Sequence, residues 1–229
     1  LNSLELTLLT SPMTSPMTSL CLTLGLSMSL SAPAVAQQYV TPAGTSSASG
    51  NSWTEPVTLQ EALGRAAGNP IMFGEIWVMQ GSYRPTLTSD ESVSFVIPHD
   101  VEVYGGFAGN ETFREQRSPS LYNMTVLDGN LSGVTGSPQN SDHVVRIPTG
   151  GTAPKRVVLD GFLITNAYAD DSSGTTVAGS GAGMLIGDTT GVVNGIVRLK
   201  NLQFTDCRSS ISGGAIAGFG MNRLEMSDC

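Results

Sequence analysis

Leu202-Gln203-Phe204-Thr205-Asp206-Cys207 and Leu224-Glu225-Met226-Ser227-Asp228-Cys229 are the stretches on which the fold turns. Position by position both read apolar, polar, apolar, hydroxyl, Asp, Cys, and the second begins 22 residues after the first. Forty residues before the first stands Phe162-Leu163-Ile164-Thr165-Asn166, with Asn in the Asp place. Alternating apolar residues line one face of a strand. Phe162, Ile164, Leu202, Phe204, Leu224 and Met226 are therefore the expected inward positions, with Cys207 and Cys229 closing their words. A second word alternates with the first: Ser180-Gly181-Ala182-Gly183-Met184, answered 32 residues later by Ser212-Gly213-Gly214-Ala215-Ile216. A unit of about 20 residues cannot bury its own apolar face and has to stack on its neighbours, the mark of a solenoid. This spacing predicts Leu202 and Leu224 on adjacent, parallel, stacked strands.

Composition agrees. Of the 229 residues, 40% are hydrophobic, enough for a sizeable core, and 13% are charged, about half the usual share. Glycine numbers 27, and Ser and Thr are abundant. That mixture suits many short strands joined by Gly and Ser/Thr turns, an all-β chain. The net charge is −8, with no run of basic residues, which argues against nucleic acid or an anionic membrane surface as partner.

Residues 20–30 are apolar and uncharged, and Ala34-Val35-Ala36 follows as an A-x-A pattern. Residues 1–36 read as a secretory signal peptide cleaved before Gln37. No later apolar run is long enough to span a bilayer. The mature chain then holds two cysteines at equivalent places, Cys207 and Cys229. Adjacent parallel strands lie about 4.8 Å apart and a disulfide tolerates Cα separations of about 4.4–6.8 Å, so a bridge is open to them in an oxidising compartment. Stacked side chains point in parallel, which favours two thiols packed as small apolar groups.

Along the mature chain, residues 37–74 form an entry segment and residues 75–229 the stacked coils. Thr58-Leu59-Gln60-Glu61 fits a capping box, and Leu59, Ala62, Leu63, Ala66 and Ala67 form a stripe at helical spacing. Gly68-Asn69-Pro70 ends that helix. One amphipathic helix in a chain of strands fits a cap over the open end of a solenoid. Short strands are expected at 75–79, 93–97, 101–104, 126–128, 144–147 and 158–160. Val126-Leu127-Asp128-Gly129 recurs as Val158-Leu159-Asp160-Gly161, each Asp-Gly signalling a turn. Residues 110–122 are polar and irregular. Two loop-like insertions, 169–180 and 187–195, separate the Phe162 and Leu202 words.

The segments Glu75-Ile76-Trp77-Val78-Met79-Gln80-Gly81-Ser82-Tyr83 and Val101-Glu102-Val103-Tyr104-Gly105-Gly106-Phe107-Ala108-Gly109-Asn110-Glu111-Thr112, with the V-L-D-G-F-L-I-T-N run, resemble secreted right-handed parallel β-helix proteins. These belong to the pectin-lyase-like fold family found among Bacteroidota-type surface proteins. The G-G-A-I word is similar to polymorphic outer-membrane protein repeats. The resemblance covers about residues 38–229. It implies a right-handed parallel β-helix with a short N-terminal capping α-helix, and a secreted, extracellular or outer-membrane-surface location. Full-length relatives continue through more coils, so a fragment is expected, its last strand an open edge prone to association.

That fold invites a polysaccharide lyase or hydrolase reading, which needs carboxylates facing across a bond, or a calcium site with a basic residue. The candidates are Asp170, Asp171, Asp188, Asp206 and Asp228, with Lys155, Arg156, Arg198 and Lys200. Asp206 and Asp228 sit at a repeat position and read as polar turn residues. Asp170 and Asp171 lie in an insertion loop: either a solvated turn, or a ligand-binding pair for sugar or calcium, whose hard ion suits carboxylate oxygens. His99 and His143 share no spacing and lack further ligands for a metal site. Trp53, Trp77, Tyr83 and Tyr104 suit core packing better than a sugar-stacking platform. No catalytic constellation is present, and no cofactor other than calcium is suggested. The expected function is a secreted or cell-surface binding or structural module, adhesin-like or glycan-binding. The alternative is a polysaccharide lyase or glycoside hydrolase whose site lies in further coils.

Overall fold

A computed structural model describes residues 36–119, 124–132, 139–148, 150–170, 176–189, 191 and 193–229. The chain is mostly strand. It runs β1 (Gln37–Val40), α1 (Leu59–Gly68), α2 (Pro70–Phe73), β2 (Glu75–Met79), β3 (Gly81–Tyr83), β4 (Phe95–Val96) and β5 (Val101–Phe107). There follow β6 (Thr125–Asp128), β7 (Val145–Ile147), β8 (Gly150–Ala169), β9 (Met184–Ile186), β10 (Val193–Ser209), β11 (Ile216–Gly218) and β12 (Met221–Ser227). Every ladder between these strands is parallel.

One sheet follows the order β1-β2-β5-β8-β10-β12, and a second the order β11-β9-β7-β4. β3 and β6 pair with each other and β6 pairs with the second half of β8, whose far side meets the second half of β10. The same succession of three strand positions thus recurs along the chain. β8 and β10 are long because each bends through a corner without breaking. The bends fall where the backbone takes a left-handed conformation: Gly161 (φ 90°) and Asn166 (φ 56°) in β8, Asn201 (φ 50°) and Asp206 (φ 49°) in β10. Gly, Asn and Asp tolerate that region best.

The corner residues are tied between strands. Asn166 Nδ2 donates to Asp128 Oδ1 at 2.8 Å, and Asn201 Nδ2 donates to Asp160 Oδ1 at 2.7 Å. Both V-L-D-G words therefore end at a corner and accept an amide there, but at two different corners. Val126 pairs with Ser82 and Leu163, whereas Val158 pairs with Glu102 and Arg198.

The same distinction corrects the register expected from the hexapeptide words. Leu202 does lie beside Phe162, and Phe204 beside Ile164, at the 40-residue spacing. Leu224, however, pairs with Val197, and Met226 with Leu199, a spacing of 27. Leu202 and Leu224 are not neighbours. Asp206 and Asp228 (φ 54°) both make left-handed turns, one after each face, so the word marks a kind of corner and does not count coils. It follows that Cys207 and Cys229 do not stack. Cys207 lies beside Ala167, its Sγ 3.7 Å from Ile164 O, while Cys229 Sγ lies 3.7 Å from Leu199 O. Both thiols are free, and burial pushes Cys207 up to about 11. The glycine words do align: Ser180 bridges Ser212, their hydroxyls 3.1 Å apart, and Met184 pairs with Ile216.

The core runs down the inside of the three strand positions. Leu159, Ile164, Met184, Ile186, Val197 and Leu202 are buried, as is Phe162. Phe204 and Leu224 are partly buried against this cluster, and Met226 is 48% exposed. Val197 and Leu199 point inward, with Arg198 and Lys200 outward. At the other end, α1 carries the stripe read from the sequence except Ala67, which is exposed. Thr58 Oγ1 accepts from Glu61 N at 3.1 Å, and Leu59, Ala62, Leu63 and Ala66 are buried against β1 and β4. Gln38 Nε2 then donates to Ala62 O and Phe73 O, tying β1 to both helices. The Gly68-Asn69-Pro70 stop is followed at once by α2, because Pro70 suits a first helical position and Asn69 Oδ1 accepts from Met72 N.

Candidate functional site

The outward face of the β1–β12 sheet changes character along its length. In one row, in register, stand Tyr39, Trp77, Tyr104, Asp160, Lys200 and Ser227. The aromatic half is covered. Trp77 stacks on Phe107 at 4.7 Å, and Tyr39 meets Trp53 edge-on at 4.8 Å. Trp77, Tyr104 and Phe107 are buried, so these rings pack, as the sequence suggests, and do not form a sugar platform.

The charged half is an open groove of about 490 Å³. Its floor is β8, β10 and β12, and its wall is the segment after β5 that carries Arg114, Glu115 and Arg117. Arg117 fastens that wall. Its Nη2 lies 2.5 Å from Asp160 Oδ2 and its Nη1 donates to Gly105 O at 3.0 Å. Gly161 makes the approach possible, since a Cβ there would stand 2.9 Å from Arg117 Nη1. Asp160 accepts from Arg117 and Asn201 together, so its charge is fully engaged. Tyr104 lies beneath both guanidiniums, 4.7 Å from Arg114 and 5.1 Å from Arg117, and donates its hydroxyl to Glu102 at 2.5 Å. Burial, then that hydrogen bond, push the phenol well above its ordinary range.

On the floor, Arg156 Nη2 pairs with Glu102 at 3.0 Å. Arg198 Nε and Arg223 Nε hold opposite oxygens of Glu225 at 2.6 and 2.8 Å. The Arg198 hydrogen bond holds Glu225 below the usual carboxylate range. Lys200 is exposed and forms no ion pair among the described residues. Five cations (Arg114, Arg117, Arg156, Arg198, Lys200) and three carboxylates (Glu115, Asp160, Glu225) line the groove, in a chain whose net charge is −8.

The structure thus assembles a basic cluster that no run of sequence contains. It brings together Arg156, Arg198 and Lys200 from the candidates above. It leaves Asp170 elsewhere, exposed beyond the end of β8, its amide donating to Tyr168 O at 3.0 Å. Asp171 lies outside the described residues. Asp206 and Asp228 are corner residues, and Asp188 Oδ1 accepts from Gly191 N at 3.0 Å. Arg114 and Arg117 were the residues that sequence reasoning missed. Their signal was two of only 11 Lys and Arg within four residues of a polar, irregular segment.

Among the described residues no three His, Cys, Asp or Glu side chains gather as metal ligands. His143 is buried with Nδ1 donating to Gly181 O at 3.2 Å, and His99 lies apart, next to Gly150. Among the described residues no helix is long and apolar enough to cross a membrane. Comparison with protein-family models, with curated proteins and with solved structures returns no match.

Proposed function

We propose that this chain forms a right-handed parallel β-helix, exported to the cell surface or beyond, whose outward groove binds an extended anionic glycan without cleaving it. The observation that carries this reading is the gathering of five cations along one groove, four of them paired with carboxylates and Lys200 exposed. They come from two neighbouring strands, β8 and β10, and from the wall, so they follow the stacking direction that a linear polyanion would track. A rigid stack of strands presents such a row without the entropy cost of ordering loops.

The chemistry of the carboxylates favours binding over catalysis. A glycosidase acid must hold a proton that it can give up. Asp160 is instead bound by the Arg117 guanidinium at 2.5 Å, and Glu225 is held below the usual carboxylate range by Arg198 at 2.6 Å. The export part of the proposal rests on the apolar run at 20–30 and the Ala34-Val35-Ala36 pattern.

The test is titration of the protein with polygalacturonate and with a neutral galactan, at low and high salt, with assays for reducing ends and unsaturated products. Expected are binding to the uronate polymer alone, weakening with salt, and no product. Equal binding of the neutral polymer would overturn the anionic reading. Product formation that depends on Asp160 or Glu225 would replace the binding module with an enzyme.

A further inference from the structure

We propose that the cavity beside β3 is a second binding site, for an extended acidic peptide that lays an apolar side chain into the cavity and sets a carboxylate against Arg84. The inference does not rest on the glycan reading, because this cavity shares no residue with the charged groove.

The cavity measures about 560 Å³, within the range of sites that hold ligands. β3, the turn after it, the 41–44 turn and the start of α1 line it, and Leu59, Tyr83, Pro85, Leu87 and Phe95 give it an apolar character. It is preformed. Gln60 Nε2 donates to Pro85 O at 2.6 Å and to Ser94 O at 3.1 Å, which ties α1 to both segments. Leu87 is 93% exposed, on a turn where Thr88 N donates to Thr86 Oγ1 at 3.1 Å and Asp90 N to Thr88 Oγ1 at 3.3 Å. A leucine held in water beside an apolar cavity gains by covering an apolar group there.

Three features define the occupant. The first is a backbone pair. Gly81 N donates to Met124 O at 3.1 Å, so the Gly81 peptide groups face β6. Successive residues of a strand turn their N–H and C=O to opposite sides, so Ser82 turns its pair toward the cavity that it lines. Neither group has a partner among the described residues, and one residue of an extended peptide satisfies both. The second feature is direction. Ser82 and Arg84 are exposed and Tyr83 is buried, so a peptide residue beside Tyr83 points inward, over Tyr83, Leu59 and Phe95, and has to be apolar. Its two neighbours point outward, one of them beside Arg84. The third feature is charge. Arg84 is the only charged residue lining the cavity. Its Nε stands 3.8 Å from Asp128 Oδ2, and its terminal nitrogens have no ion-pair partner among the described residues, which leaves the guanidinium fork for a carboxylate. A peptide running either way presents the same alternation.

The probe is acetyl-Thr-Asp-Leu-Asp-Thr-amide, which reads the same in both directions, titrated into the isotope-labelled full chain and followed by NMR. Shifts should saturate and centre on residues 82–87 and 58–60. Replacing the probe's Leu by Ser should weaken binding roughly tenfold. Replacing both Asp by Asn should weaken it about three- to fivefold. Arg84→Gln in the protein should cost the Asp probe the same factor and leave the Asn probe unchanged. Leu87→Ser should weaken binding without moving the unfolding midpoint, since that side chain is already in water. Ser82→Pro removes the N–H on the cavity side and spares the ladder to β6, and it too should weaken binding. Acetyl-Thr-Asn-Leu, compared as free acid and as amide, separates the two sources of a carboxylate: binding by the free acid, with the Asp probe silent, would assign the site to a chain end. Absence of saturable shifts at residues 82–87 with every carboxylate probe would overturn the proposal. So would equal affinity for the Asp and Asn probes, or an Arg84→Gln chain that still distinguishes them.

Discussion

The two halves of one outward face differ more than the two ends of the core. Along the inward row Gln38, Ile76, Val103, Leu159, Leu199 and Met226, hydrophobic character holds from the second strand to the last. Along the neighbouring outward row, rings give way to charges between Tyr104 and Asp160. Inward positions meet the same surroundings at each level, so each is held to the same chemistry. Outward positions answer to whatever covers them. Where the Trp53 loop and Phe107 close over the sheet, large rings pay for their own burial. Where only the Arg114–Gln116 turn and Arg117 stand alongside, the face is open and charged.

The most severe break of this contrast is Trp77→Ala. It empties a buried site stacked on Phe107 and should cost about 3–5 kcal/mol, read as a lower urea midpoint. Arg117→Ala should come next, at about 3 kcal/mol, because it strands the Asp160 carboxylate, whose side chain is 7% exposed. Loss of protection in residues 108–118 should accompany it, since Arg117 fastens that wall. Were Arg117→Ala to leave stability unchanged, the wall would be held by something else.

Leu63→Ser tests the closed end. It removes a buried side chain from the α1 stripe and should cost roughly 1.5–3 kcal/mol, with exchange rising first in β1 and β4. A change spread evenly over all strands would mean that α1 does not guard that end in particular.

A smaller effect concerns pH. Burial holds His143 below its ordinary value, with the hydrogen bond to Gly181 acting the other way. The folded state therefore favours the neutral ring. Its contribution is fully present above the unfolded value of about 6.5 and is lost as pH falls from there toward the depressed folded value. Thermal midpoints should fall over that range in the native chain and fall less in His143→Gln. Lys200→Ala should have the mildest outcome. Uronate affinity should drop about threefold, in line with a single exposed charge contact, with no change in unfolding midpoint. If Trp77→Phe weakened binding as much, the covered half would belong to the site as well.

Much of the local structure was legible. Alternation gave the inward residues Val197, Leu199, Leu202 and Ile164, and Thr58 with Glu61 gave the start of α1. The Ser180 and Ser212 words aligned at their true spacing of 32, because each fixes a corner with a glycine at positive φ, Gly181 at 69° and Gly213 at 61°. The Leu202 and Leu224 words misled for a related reason. Alternation followed by a left-handed Asp describes a strand running into a bend, and β8 and β10 each contain two left-handed bends.

What the sequence determined alone is therefore the set of interactions that act between residues near one another in the chain: which side of a strand is apolar, where it can bend, where a helix can start. Register was decided only in three dimensions, where Leu224 settles on Val197 and Met226 on Leu199 because backbone ladders and inward side chains must match across levels together. The groove was decided there too. Arg114, Arg117, Arg156, Arg198 and Lys200 are separated by up to 86 residues in the chain and line one groove because parallel stacking returns distant residues to the same face, where Coulomb interactions depend on distance through space.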